Sequence, residues 1–219
     1  MRNILLVALC ATAASTAHGS LFGKSADKAA APQPNFEEGW EYVTAGSTIK
    51  LAHVKSDARL TMPQVSYGTG SQQQAITAHK DAFSSKGFWR VEVENAERGM
   101  PVKCGTQIRL INSDSDHSLH SHAAHKSPIS GQQEVSGFDG RDAGDMWTVE
   151  CSQGAWRRES PVLFRHVDTE KYLVSLPNKK YRQPIVGHIE VSAAKKADSN
   201  AHWMALEGFY FKNPQQSKT

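Results

Sequence analysis

The 219-residue sequence lacks an excess of charge of either sign, because 25 Lys and Arg stand against 22 Asp and Glu for a formal net charge of +3. No basic stripe is interleaved with aromatic residues, so nucleic acid is not an expected partner. Beyond the first twenty residues no apolar run approaches the length of a membrane span. Catalytic signatures are missing as well. There is no Gly-x-Ser-x-Gly elbow, no Gly-x-x-x-x-Gly-Lys phosphate loop, no His-Glu-x-x-His and no dinucleotide fingerprint. Cysteine is scarce: the three residues form no Cys-x-x-Cys, so neither dithiol redox chemistry nor a thiolate metal site has its ligands. These absences point away from an enzyme and from any cofactor. A hydrophobic fraction of 39% with 21% charged residues is ordinary for a globule with one core.

What is present begins with Arg2, an apolar run from Ile4 to Ala14, and small residues at Ala17 and Gly19. Residues 1–19 therefore read as a secretory signal peptide. Residues 20–45, rich in Ala, Lys and Pro over their first half, read as a flexible leader, and 213–219 as a tail. The last residues, Gln215 to Thr219, do not spell a Lys/His-Asp-Glu-Leu retrieval signal. The endoplasmic-reticulum lumen or secretion is then expected.

Between leader and tail the chain repeats itself three times. The steps from Ile49 to Leu51 to Leu60, from Ile108 to Leu110 to Leu119, and from Val162 to Phe164 to Leu173 are each 2 and 9 residues. The next apolar anchors, Ile76, Val135 and Val191, follow after 16, 16 and 18 residues, and the tryptophans Trp89, Trp147 and Trp203 after 13, 12 and 12. The second copy shows the pattern most clearly, with alternating Ile108/Leu110, then Leu119 to His122, then Ser130 to Ser136, then Trp147/Val149/Cys151. That alternation predicts four short strands per copy, in copies of about 46–93, 105–151 and 159–208. A unit of four short strands cannot bury its apolar face alone. Three of them can pool strands into one closed barrel with three hairpins over one end, so the expected fold is all-β, a β-trefoil over 46–212. Leu51, Trp89, Leu110, Trp147, Phe164 and Trp203 are the expected core.

The second copy, with LHSH (Leu119 to His122), SGQQEVS (Ser130 to Ser136) and Trp147, resembles the MIR motif of protein mannosyltransferases and inositol trisphosphate receptors. Three such repeats filling a small chain, with KCG at Lys103 to Gly105 and an ending of Trp203 through Glu207-Gly208, resemble the stromal cell-derived factor 2 family. The resemblance implies a single β-trefoil without catalysis. It also implies a place in endoplasmic-reticulum protein quality control, beside a DnaJ-type co-chaperone and luminal Hsp70.

Cys10 falls in the expected signal peptide, which leaves Cys104 and Cys151. They flank the second copy, whose two ends should lie close together in a trefoil, so a disulfide is expected in an oxidising compartment. Candidate binding residues cluster in the same copy. His120 and His122 are two apart on a predicted strand and face one way, with His117 and His125 nearby. No Asp, Glu or Cys lies at a spacing that completes a metal site, so no metal is expected. Gln132, Gln133 and Glu134 offer amides and a carboxylate suited to hydroxyl-rich ligands or extended peptides. Asp139, Asp142 and Asp145 read as a solvated turn. Besides the quality-control role, with unfolded clients, the His/Gln/Glu set supports a second reading, a lectin-like module for mannosylated proteins.

Overall fold

The computed structural model describes residues 35–216. The expected signal peptide, most of the leader and the last three residues of the tail lie outside the described residues. Strands follow the alternation seen in the sequence. Copy one holds β1 (Thr48–His53), β2 (Arg59–Thr61), β3 (Gln74–Ala75), β4 (Thr77–His79) and β5 (Phe88–Glu92). Copy two holds β6 (Gln107–Asn112), β7 (Ser118–Lys126), β8 (Gln133–Phe138) and β9 (Trp147–Glu150). Copy three holds β10 (Leu163–His166), β11 (Tyr172–Lys180), β12 (Ile189–Ala194) and β13 (Trp203–Phe209). Copy one departs from four strands because its third is broken at Ile76 into β3 and β4. Its second, β2, is three residues long against nine for β7 and β11. Pro63, two residues past the end of β2, has no N–H for a ladder.

The first turn of each copy is built the same way. Asp57, Asp116 and Glu170 take left-handed φ of 54°, 62° and 54°. Their N–H groups donate to the carbonyls of His53, Asn112 and His166 at 2.8, 2.8 and 2.9 Å. Aspartate tolerates this conformation better than most residues, and Glu170 holds it at some cost.

The sheet closes on itself. The last strand of each copy pairs antiparallel with the first strand of the next: β5 with β6, β9 with β10, and β13 with β1. Within copies one and two the first and last strands also pair, and in copy three a single bridge between Val162 and Trp203 does the same. Six strands thus form a ring. The remaining strands make three hairpins, β2 with β4, β7 with β8, and β11 with β12, which pair with each other in turn through β3 with β8, β8 with β12 and β12 with β4.

Inside the ring lie all fifteen repeated apolar anchors, each no more than 1% exposed. Each tryptophan is anchored alike. Its Nε1–H donates to the carbonyl of the leucine that opens the hairpin: Trp89 to Leu60 at 2.9 Å, Trp147 to Leu119 at 2.8 Å and Trp203 to Leu173 at 3.0 Å. A buried indole N–H needs such a partner, and this one fixes the ring's orientation as well as its depth. The folded body also reaches further than the repeat boundaries suggested. Val43 and Thr44 are fully buried, and Tyr42 bridges to Arg157, so the expected leader ends before them. Asn213, assigned to the tail, is buried, with its N–H on the Gly39 carbonyl at 2.9 Å. Cys104 and Cys151 form a disulfide, with Cα atoms 5.3 Å apart.

Candidate functional site in the second copy

β7 is buried from Ser118 to Ser121 and emerges at His122. His120 is therefore inside, its side chain 2% exposed, while that of His122 is 44% exposed. Their rings meet edge to face with centroids 4.6 Å apart, as neighbours on one strand face should. Over them lies the loop before Trp147. A single 3-10 turn, Ala143–Asp145, is capped by Asp142, whose Oδ1 accepts the Gly144 N–H at 2.7 Å while Asp145 Oδ2 accepts the Asp142 N–H at 3.0 Å. Glycine at 144 is what lets the loop settle onto β7. A Cβ there would stand 2.6 Å from His120 Cε1 and 2.9 Å from the Ser121 carbonyl.

Asp145 is fully buried, which corrects its reading as part of a solvated turn. Its Oδ1 accepts from His120 Nδ1 at 2.8 Å, and Arg109 Nε stands 4.0 Å from its Oδ2. A buried carboxylate needs such partners. Asp142, half exposed, lies 3.6 Å by Oδ1 from His120 Nδ1 and 3.6 Å by Oδ2 from His122 Nε2. Spacing along the chain missed this acid, since it lies twenty residues beyond His122 and arrives by tertiary folding. The signal available was the Asp-x-x-Asp pattern of a capping box before Trp147.

Gln132, Gln133 and Glu134 are not gathered around the histidines. Glu134, 2% exposed, accepts from the N–H and hydroxyl of Ser71 in copy one. Gln133, 4% exposed, donates to Ser121 Oγ at 2.8 Å and to Thr169 Oγ1 of copy three at 3.0 Å. Gln132 accepts from Ser192 Oγ of copy three at 2.7 Å. These are braces between copies, and they recur. Glu190, the counterpart of Glu134, is fully buried and accepts from Ser127 Oγ, Ile129 N–H and Ser130 N–H of copy two at 2.6, 2.9 and 3.0 Å. One hydroxyl per copy completes a ring of such bonds: Ser136 to Gln73, Ser192 to Gln132, and Thr77 with His188. Sequence reasoning noticed that the acid recurs in copies two and three but not that each reaches back into the copy before it.

Histidines also serve the core. His53 and His166 hold matching places in copies one and three. In each, Nε2–H donates to a loop carbonyl 3.0 Å away (Asn200 and Gly144), and Nδ1 accepts from Ser56 or Thr169. Burial pushes both pKa values below 6.5, and burial with the neighbouring His79 pushes His188 down to about 4. The folded state therefore binds fewer protons here than the unfolded chain. The stability these three contribute is fully present above about pH 6.5 and is lost as pH falls from there, for His188 toward about 4. Asn112 fills the same place in copy two without titrating, its amide donating to the Lys86 carbonyl at 2.9 Å. The urea midpoint should fall between pH 7.5 and 5, and in the double variant His53→Asn, His166→Asn it should fall less steeply. An unchanged slope would remove these two histidines from the cause.

A closed all-β body with a tryptophan anchored in each of three copies, and the His-Ser-His strand under an acid-capped loop, is the setting of a MIR-domain protein, and the MIR domain family matches residues 41–149. The chain is 40% identical to human stromal cell-derived factor 2 over 176 residues, covering 78% of this chain and 82% of that one. Its structure is similar to the crystal structure of the SDF2-like protein from Arabidopsis thaliana, with a TM-score of 0.76 at 36% identity over 79% of this chain and 99% of the other. The chain belongs to the stromal cell-derived factor 2 family. It is also similar to part of the S. cerevisiae protein O-mannosyltransferase Pmt1-Pmt2 complex bound to the sugar donor, with a TM-score of 0.69 at 25% identity over 82% of this chain and 27% of that one. Among the described residues no helix is long and apolar enough to cross a membrane.

Proposed function

We propose that this protein is a non-catalytic component of protein quality control in the endoplasmic-reticulum lumen. It acts with a DnaJ-type co-chaperone and luminal Hsp70 to keep unfolded clients soluble, on a β-trefoil of three MIR repeats. The observation that carries this reading is its match to stromal cell-derived factor 2 across about four fifths of both chains, which leaves little of either outside the shared body. The six-strand ring with its three mutually paired hairpins supports the trefoil. The lectin-like reading is weaker, because Gln132, Gln133 and Glu134, the polar groups a sugar would need, are already engaged between copies. A concavity of about 710 Å³ lies elsewhere, lined by Val93, Met100, Val102 and Pro214 among others.

The test is an affinity pull-down of the tagged chain from secretory-pathway lysate, read by mass spectrometry with and without competing mannose. Recovery of a DnaJ protein and luminal Hsp70 in amounts that mannose does not change is the expected result. Recovery of glycoproteins that mannose releases, without the chaperones, would replace this reading by the lectin-like one.

A further inference from the structure

The three groups that meet above β7 are held at distances that suit an ion better than they suit each other. One ring nitrogen of His120, one of His122 and a carboxylate oxygen of Asp142 all lie within 4.8 Å of one another. Asp142 stands 3.6 Å from both rings, too far for a hydrogen bond to either. In a tetrahedral zinc site with metal–ligand bonds of about 2.0–2.2 Å, neighbouring ligand atoms stand about 3.4 Å apart. The two distances from Asp142, one through each carboxylate oxygen, are within a few tenths of an ångström of that. We propose that His120 Nδ1, His122 Nε2 and Asp142 form a binding site for a borderline divalent transition metal, of which Zn²⁺ is the probe of choice.

The chemistry of the set agrees. Two imidazoles and a carboxylate suit zinc, whereas magnesium and calcium want several oxygen ligands. On binding, the ion takes the place of the proton that His120 Nδ1 donates to Asp145 Oδ1, and as that proton leaves to solvent one is taken up at Nε2, so the ring stays a neutral imidazole. Asp145 Oδ1, 2.8 Å from the same nitrogen, gives up that hydrogen bond and shifts to join the ion as a further ligand. Two neutral imidazoles and two carboxylates balance the dication, so the buried charge of Asp145 remains compensated. The site is assembled from two elements held by their own hydrogen bonds: β7 carries both histidines, and the capping box holds Asp142 over them. Its outer side is open, since His122 and Asp142 are each more than 40% exposed, so an ion can reach it and keep a position for water or for a partner's side chain.

The experiment is calorimetric titration of ZnCl₂ into the untagged, chelator-treated full chain, with MgCl₂ and CaCl₂ as comparisons. One Zn²⁺ per chain is expected, with no saturable heat from the other two. His122→Ala and Asp142→Asn should each weaken zinc binding at least tenfold. His188→Ala, at the stacked pair His79/His188, should leave it unchanged. Asp142→Asn is informative because asparagine caps a turn as well as aspartate does and so leaves the loop in place while removing the ligand charge. Both variants should keep the wild-type unfolding midpoint without zinc to within a few degrees. Absence of saturable zinc binding to the wild-type chain overturns the proposal, as does binding that survives both substitutions or is lost with His188→Ala.

Discussion

Replacing Trp147 by alanine is expected to destabilise the protein by about 3–5 kcal/mol, the range for a large aromatic removed from a core that cannot collapse around the gap. The indole is fully buried, meets His166 edge-on with centroids 4.9 Å apart, and donates to the Leu119 carbonyl. Two separable losses are involved. Trp147→Phe keeps most of the apolar volume but leaves the Leu119 carbonyl without its donor, which costs about 1–3 kcal/mol in a buried setting. Trp89→Ala and Trp203→Ala should fall in the same range, because their indoles make the same bond to Leu60 and Leu173 and are equally buried. Urea denaturation at neutral pH measures all of these. If one of the three alanine variants proved nearly neutral while the others did not, the equivalence of the three copies around the core would be wrong.

Opening the Cys104–Cys151 disulfide has the other large expected effect. The bridge closes a loop with a sequence separation of 47. Freeing that loop in the unfolded chain lowers stability by about 4 kcal/mol in the chain-entropy model. Little native structure should change, because the backbone on either side is tied independently: Cys104 N–H donates to the Gly154 carbonyl at 3.0 Å and Gly105 N–H to the Val149 carbonyl at 2.7 Å. The double variant Cys104→Ser, Cys151→Ser and the reduced wild-type protein should therefore unfold at the same lowered urea concentration. An oxidised protein whose midpoint does not move on reduction would show that the bridge contributes nothing to stability.

Both effects could be placed from the chain alone, and the reason is the short range of the signals. The steps of 2 and 9 residues place Ile108, Leu110 and Leu119 on one side of successive strands, because side chains alternate along a strand and a tight turn reverses it. The same spacing in three copies made burial of Trp89, Trp147 and Trp203 an expectation. The bridge of Cys104 to Cys151 followed from their places at the two ends of one copy. Where the local rule failed, a particular residue explains it: Pro63 follows the shortened β2, and Val43 and Thr44 were absorbed into the body because Tyr42 found Arg157 across the structure.

The site was legible only in part. His120 and His122 on one face is a two-residue statement, which strand geometry alone supports. That one of them would be buried, and that Asp145 rather than solvent would receive its N–H, depended on how the loop after β8 folds back over β7, and Gly144 permits that approach only once both are in place. Gln132, Gln133 and Glu134 look like a binding motif when read along the chain, because nothing in a local segment shows that Ser71, Thr169 and Ser192 will be waiting in other copies. The sequence by itself determined the repeat, the core and the disulfide, since each rests on periodicity or on position within one copy. Tertiary structure alone decided which polar side chains brace the copies and which gather above β7, because those partners are brought together only when the ring closes.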